Sequence, residues 1–553
     1  MTSGASNFKG DLITGLSMAT ILIPFSMAYS VNAGLPVSYG LSAAAIPPLM
    51  YLFFGTSPYI SVGPVAMLSL VMFQGCSPFA QPGTPEYVSL VLMVTFMVGL
   101  VQFAAGYIRA GYIMSFLSQA VINGFTYAAA LVIFSSQFRH ILGIDIDPAG
   151  SMVQVLYRVV LNIRDMNILS LSLAVTSIVL ILILERKYPR FPAPLVVVVL
   201  GAVLTGFLRL DTLGVKIVGD IGKNFPALSF PLGKPAMIPH LLPLTFTLVV
   251  VGLMESVPIT RHLASTSRQK FHIDSELKGL GLANIASSFF RGYVVTGGLA
   301  RTLFNYRSGA QTKISSSITS LLVVVTLVLF RHFFHYIPQP VLSSLIMSSA
   351  ISLYMTEDVR YLYRVGKSDG TVLLLTFVTT IFVGVQWGLV VGILLSLILL
   401  LHKQIKPCAE EWGYSVHEDQ FMELGKCGED GIFPRGVVLR SKGSLHFANI
   451  HYLEDLIHEK IVKKPSLVWI LLDLEGVDDM DGVALMKLEE LMDRCLSNNI
   501  TLHISGVQPE VKRRLNMLGW PEKYGPSMHE DLKSALESIG TAKTCDPIIR
   551  RFM

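Results

Sequence analysis

The stretch SVGPVAMLSLVM (Ser61–Met72) opens on the pair Gly63–Pro64 and then runs apolar, broken only by Ser69. Proline has no N–H to give a preceding turn but suits a first helical position, so a helix in this stretch begins at or after Pro64. The pair opens an apolar run, the third of those the chain carries. A helix start carries unpaired N–H groups and about half a positive charge. Such a start is a ready seat for an anion. In lipid, an interrupted helix is tolerated where its freed backbone groups line a buried cavity. A second interruption, Gly297–Gly298, precedes a later run. Gly and Pro are common in membrane helices, so one break alone says little. Interrupted segments in corresponding halves of a chain point to a transporter site.

Composition agrees with a membrane setting. The chain has 553 residues, 52% hydrophobic and 15% charged, with a mean hydropathy of +0.57. Soluble domains carry about 25% charged residues. Residues 403–553 hold 24 acids and 19 bases, while the first 402 hold 14 acids and 24 bases. The front is therefore membrane-like and basic, and the tail is soluble-like and acidic. This excludes a soluble enzyme, a disordered chain and a nucleic-acid binder. The five cysteines (Cys76, Cys408, Cys427, Cys495, Cys545) are scattered, with no CxxC, and suggest neither a disulfide framework nor a metal site. There is no P-loop, no HExxH and no nucleophile triad in context. No enzyme activity and no cofactor are expected.

Apolar runs are read at 11–33, 38–54, 62–75, 88–106, 111–138, 168–184, 193–208, 239–260, 276–290, 300–330, 340–354, 371–385 and 387–402. The run at 300–330 begins with polar residues, and Thr356–Gly366 has room for one more short element. About 12 to 14 segments follow. Pro24 and Pro47–Pro48 are read as further breaks, in the first and second runs. Basic loops at 185–190, 261–270, 360–367 and 402–406, set in the cytoplasm, make both termini cytoplasmic.

The tail changes period. Strand-like runs at Val437–Arg440, Leu467–Asp473 and Ile500–Ser505 alternate with helical patterns at Ile450–Ile461, Gly482–Ser497 and Pro509–Leu518. Strand and helix in alternation predict a small α/β domain over 435–553. Residues 403–434, with Gly and mixed charges, read as a linker after a transport domain at 1–402.

SVGPVAMLSLVM resembles the signature of the SulP, or sulfate permease, family of anion transporters. GDLITGLSMATILIPFSMAYSVNAGLPVSYGL (Gly10–Leu41) looks like the family's first helix and the turn after it. GLGLANIASSFFRGYVVTGGLARTLFNYRSGAQTK (Gly279–Lys313) looks like its ninth and tenth segments. The tail motifs GSLHFANIHYLEDL (Gly443–Leu456) and LLDLEGVDDMDGVALMKLEEL (Leu471–Leu491) resemble a STAS domain. Long motifs in the right order are specific. The resemblance implies a polytopic α-helical membrane protein of fourteen segments in two inverted seven-segment repeats, forming a core and a gate, followed by the α/β STAS domain.

It also implies a site. Val65, Ala66 and Met67 would begin one half-helix, and Leu299, Ala300 and Arg301 the other. Phe25 and Tyr29, four apart on the first helix, would share one face toward them. Many family members have Gln at the Phe25 position and Ser at the Ala300 position. Both departures remove side-chain hydrogen bonding, leaving the anion to backbone N–H groups and Arg301. Arg pairs bidentately with oxyanions. Arg301 could instead pair structurally with an acid such as Glu255. Glu255, in GLMESVPI, matches the family's coupling acid. Its alternatives are a proton carrier or an ion pair with Arg301 or Arg261. The sodium-type pattern has a hydroxyl residue four positions after the acid. Here that residue is Ile259, with Thr260 about 100° around the helix, which favours a proton.

The expected function is secondary, proton-coupled symport of a small anion, with sulfate favoured over bicarbonate or a C4-dicarboxylate. The partners are the anion, the proton, the lipid bilayer of a plasma or inner membrane, and a second copy in a homodimer. An anion channel, an exchanger, sodium-coupled bicarbonate uptake, a nutrient sensor and a nucleobase carrier are the rivals. In the tail, Asp481 replaces the phosphorylatable Ser or Thr of some STAS domains. Asp478, Asp479 and Asp481 read as a solvated helix start before a metal site.

Overall fold

The computed structural model describes residues 2–112, 117–146, 151–188, 191–219, 228–231, 234–268, 270–352, 367–405, 408–415, 420–424 and 432–541. It divides into two compact units, 1–397 and 398–553.

The first unit is helical. Its first half comprises α1 (Thr2–Asn32), α2 (Val37–Phe54), β1 (Val62–Gly63), α3 (Ala66–Cys76), α4 (Pro85–Tyr107), α5 (Gln119–Ser136), the short α6 (Phe138–Ile141) and α7 (Met152–Leu161), then α8 (Ile168–Lys187) and α9 (Ala193–Leu208). The second half comprises α10 (Ile238–Thr266), α11 (Ile273–Phe289), β2 (Thr296–Gly297), α12 (Leu299–Arg307), α13 (Ile314–Phe334), α14 (Gln339–Ser352), α15 (Lys367–Phe382) and α16 (Val385–Ile405). Each half thus has two helices, a two-residue strand, a short helix and then further spans. Seven of the described helices are long and apolar enough to cross a membrane.

Three sequence readings change. The run at 300–330 is two helices, α12 and α13, because the chain turns at Gly309 with φ +98°. Pro24 and Pro47–Pro48 do not break α1 and α2, which stay helical through them. Proline in a membrane helix is accommodated when neighbouring groups take up the freed backbone. The stretch Thr356–Gly366 lies outside the described residues.

Close helix contact depends on absent side chains. A Cβ on Gly40 of α2 would fall 2.0 Å from the Ser26 carbonyl oxygen of α1. Gly99 of α4 and Gly281 of α11 face each other in the same way, each 2.8 Å from the other's carbonyl oxygen by that measure. Lipid gives helices no hydrophobic reason to pair, so small residues that let backbones touch supply the packing.

The second unit is a five-stranded sheet in the order β4-β3-β5-β6-β7, where β3 is Cys408–Ser415, β4 Gln420–Glu423, β5 Gly436–Lys442, β6 Trp469–Gly476 and β7 Thr501–Ser505. β5, β6 and β7 are parallel, and β3 is antiparallel to β4 and β5. Strand alternation sorts the core. Val437, Leu439, Ile470 and Leu472 pack under α17 (Ile450–Lys463), α18 (Gly482–Ser497) and α19 (Pro509–Met517). Val438, Trp469 and Leu471 face the opposite side, with Ala535, Leu536 and Ile539. The reading of 403–434 as a linker is corrected here: β3 and β4 fall within it. Trp412, Tyr414 and Phe421 pack on that second face, so the segment carries sheet as well as connection. Asp481 caps α18, accepting from the Ala484 N–H at 2.7 Å and the Phe447 N–H at 2.9 Å. Asp479 pairs with Arg514 at 2.8 Å, and no metal cluster occurs among the described residues.

Two histidines meet in this unit, His503 Nδ1 lying 3.0 Å from His529 Nε2. Burial holds His503 down to about 4 and His529 below its ordinary value. A histidine kept neutral by the fold costs stability once the unfolded chain can take the proton. Stability is therefore full well above pH 6.5 and falls toward pH 4, by about 3 kcal/mol. Tryptophan fluorescence of the full chain, with Trp412, Trp469 and Trp520 in this unit, should show the acid transition. His503→Leu should move it to lower pH, and an unmoved transition would refute the assignment.

Candidate anion site

The two interrupted segments meet. β1 and β2 pair antiparallel, Val62 opposite Gly297 and Gly63 opposite Thr296. The chain leaves β1 through Pro64 and Val65 into α3, and leaves β2 through Gly298 into α12. Neither N-cap residue, Val65 or Gly298, offers a capping side chain. The first N–H groups of both helices are left for whatever occupies the space before them.

Side chains from α12 fasten the pair. The Thr302 hydroxyl accepts from the Ser61 N–H at 3.2 Å, and the Asn305 amide donates to the Tyr59 carbonyl at 2.8 Å. Thr296 donates to the Gly252 carbonyl of α10 at 2.7 Å. Asn284 of α11 accepts from the Val295 N–H at 2.8 Å and donates back to its carbonyl at 3.0 Å. On the other side Ser69 of α3 shares a 2.9 Å hydrogen bond with the Tyr293 hydroxyl. The loop leading into β1 is held by the fully buried Glu276, which accepts from the Tyr51 hydroxyl at 2.6 Å and the Thr56 hydroxyl at 2.7 Å.

A cavity of about 330 Å³ opens before the two helix starts. Tyr29, Val65, Ala66, Met67, Leu299, Ala300, Arg301 and Glu255, all expected from the sequence, line it. Phe25 is not on the lining. It stands one turn behind Tyr29, with ring centroids 5.5 Å apart. Sequence reading missed Gln119, Asn123, Thr126 and Tyr127 of α5 and Ser349 of α14, which form the facing wall. The spacing of the four α5 residues puts them on one face of that helix. That regular, polar-lined face was the signal available in the sequence.

Arg301 is the charge of the site. Its residue is 8% exposed, and neither Nη1 nor Nη2 has a hydrogen-bond partner. A buried, unpaired guanidinium is expensive unless something fills its valences. It lies flat on the strand pair: a Cβ on Gly63 would come within 2.9 Å of Nη1, and one on Gly298 within 2.9 Å of Nε and Nη2. Both glycines make room for it. Glu255 lines the same cavity as Arg301. The ion pair between them that the sequence left open is not among those formed by the described residues.

Several known proteins are similar. The Sulfate permease family profile matches residues 8–376, and the STAS domain profile matches 428–535. The chain is 30% identical over 537 residues to a probable sulfate transporter 4.2 of Arabidopsis thaliana, spanning 94% of this chain and 79% of that protein. It is 28% identical to the chloroplastic sulfate transporter 4.1 of the same plant, over 98% of this chain and 82% of that one. Among solved structures, the murine Slc26a9 anion transporter in its inward-facing state superposes with a TM-score of 0.88 at 23% identity, covering 97% of this chain and 91% of that one. The transmembrane domain of the cyanobacterial bicarbonate transporter BicA superposes with 0.59 at 22%, covering 71% and 97%.

Proposed function

The chain belongs to the sulfate permease family of anion transporters, and from that premise we propose that it carries a small oxyanion, sulfate by preference, together with a proton. The observation that carries this reading is Arg301, a buried guanidinium without a partner beside two uncapped helix starts. An oxyanion supplies what all three lack, acceptors and negative charge. The relatives named as sulfate transporters support sulfate.

Glu255 is the proton carrier in this reading. Ionised, it would oppose an anion in the same small cavity. Protonated, it removes that repulsion and offers an O–H. Anion and proton would therefore enter together, each raising the other's affinity. The Thr260 hydroxyl donates to the Ser256 carbonyl of its own helix at 2.6 Å, which supports a proton over a sodium ion. Alternating access would come from movement of the body holding α3 and α12 against the wall built on α5, α14 and α15. We assign the chain to a plasma or inner membrane, with both termini and the STAS domain in the cytoplasm and a homodimer as the assembly.

The test is uptake in proteoliposomes with labelled sulfate, bicarbonate and a C4-dicarboxylate, with and without an inward proton gradient. Sulfate uptake driven by the gradient is expected. Uptake indifferent to the gradient would favour an exchanger, and conductance far above carrier turnover a channel.

A further inference from the structure

The wall facing the two helix starts carries a second unpaired donor. Asn123 of α5 is 8% exposed, and its Nδ2 has no hydrogen-bond partner. Its Oδ1 accepts from Gln119 Nε2 at 2.8 Å, one turn earlier on the same helix. That bond occupies one lone pair of the amide oxygen and leaves the buried Nδ2 donor unpaired beside the cavity. Both residues line the same space as Arg301.

Asn123 is also held from behind. A Cβ on its neighbour Gly124 would fall 2.5 Å from the Leu373 carbonyl oxygen, so α5 lies backbone to backbone on α15. α5 packs mainly on α14 and α15. The donor therefore sits on a firm support, on a helix other than the one that carries Arg301.

The unsatisfied buried side-chain atoms on this lining are Arg301 Nη1, Arg301 Nη2 and Asn123 Nδ2, and all of them are N–H donors. A fully deprotonated oxyanion such as sulfate or selenate can accept from every one. An oxyanion that keeps a hydroxyl at neutral pH, such as hydrogen phosphate, must also place an O–H, and a donor facing a donor leaves both unpaired. Glu255 is the one carboxylate on the lining, and in the cycle proposed above it carries the proton while the anion is bound, so it then offers an O–H and no charged acceptor.

Resting on that reading of the site, we propose that Asn123 is a third donor to the bound anion, reaching it from the wall opposite Arg301, and that it selects fully deprotonated oxyanions over those that keep a hydroxyl. The anion would then bridge the two bodies whose relative movement gives alternating access.

The test is binding of labelled sulfate to the purified full chain at pH 6, competed by selenate and by phosphate. Wild type should be competed by selenate about as well as by sulfate, and by phosphate at least tenfold less well. Asn123→Leu keeps the shape and deletes the donor, and should weaken sulfate about tenfold or more. Asn123→Thr supplies a hydroxyl that both donates and accepts. It should keep sulfate within a few-fold while the discrimination against phosphate falls at least threefold. Wild-type sulfate affinity in Asn123→Leu would overturn the proposal. Where that variant does not fold, unchanged phosphate discrimination in Asn123→Thr would overturn it. A wild-type chain that binds none of these anions would instead remove the anion reading itself, and this inference with it. Binding that is normal in wild type and in Asn123→Leu removes only the role of Asn123.

Discussion

Replacing Arg301 with alanine should reduce sulfate uptake by two orders of magnitude or more while the protein still inserts and folds. The guanidinium is buried and has no protein partner, so its removal breaks no internal ion pair. What is lost is the interaction with the anion, of about 3 kcal/mol for a charged hydrogen bond. Arg301→Lys should rescue little. The planar fork fits over Gly63 and Gly298, and an ammonium on a flexible stem offers one point of charge in place of two directed donors. Labelled-sulfate uptake and binding, measured on the same preparations, give the result. Wild-type uptake in Arg301→Ala would sink the assignment of this site.

Glu255→Gln should separate binding from coupling. The amide is uncharged at every working pH, so it mimics the protonated acid permanently. Sulfate should still bind, and its affinity should lose its dependence on pH. Uptake driven by a proton gradient should fall to the level seen without one, a loss of at least tenfold. The mutant should still exchange labelled for unlabelled sulfate, because exchange needs no change in proton occupancy. Gradient-driven uptake at the wild-type rate would exclude Glu255 as the proton carrier and move attention to other buried acids, Glu276 first. Glu276 is a weaker candidate on geometry, since Tyr51 and Thr56 already satisfy its oxygens away from the cavity.

Much of the site was legible because its chemistry sits in the backbone. Gly63–Pro64 and Gly297–Gly298 mark where the two segments are interrupted, and α3 and α12 begin just after them. The two starts are separated by more than 200 residues, and that they face each other came from the family resemblance. The sequence did not show the strand pairing of Val62 and Gly63 with Thr296 and Gly297, since two-residue strands have no periodicity to read. Pro24 and Pro47–Pro48 misled for the opposite reason. A proline is a local signal of a break, while tertiary packing decides whether the helix continues. Gln119 and Asn123 were passed over because polar residues one turn apart on an apolar helix look ordinary until an opposing wall is known. In the tail, short apolar runs set between helical patterns located β5, β6 and β7, but Trp412, Tyr414 and Phe421 were too sparse among charges to announce a hairpin.

The four residues of β1 and β2 have a mechanical consequence. Because Val62–Gly63 is stitched to Thr296–Gly297, neither helix start can be displaced without dragging its twin. In the proposed cycle, whatever lies between them would then travel as cargo on a single sled. The number of anions shifted per stroke would be set by the size of one berth, unlike a pore's flux, which grows with its opening time.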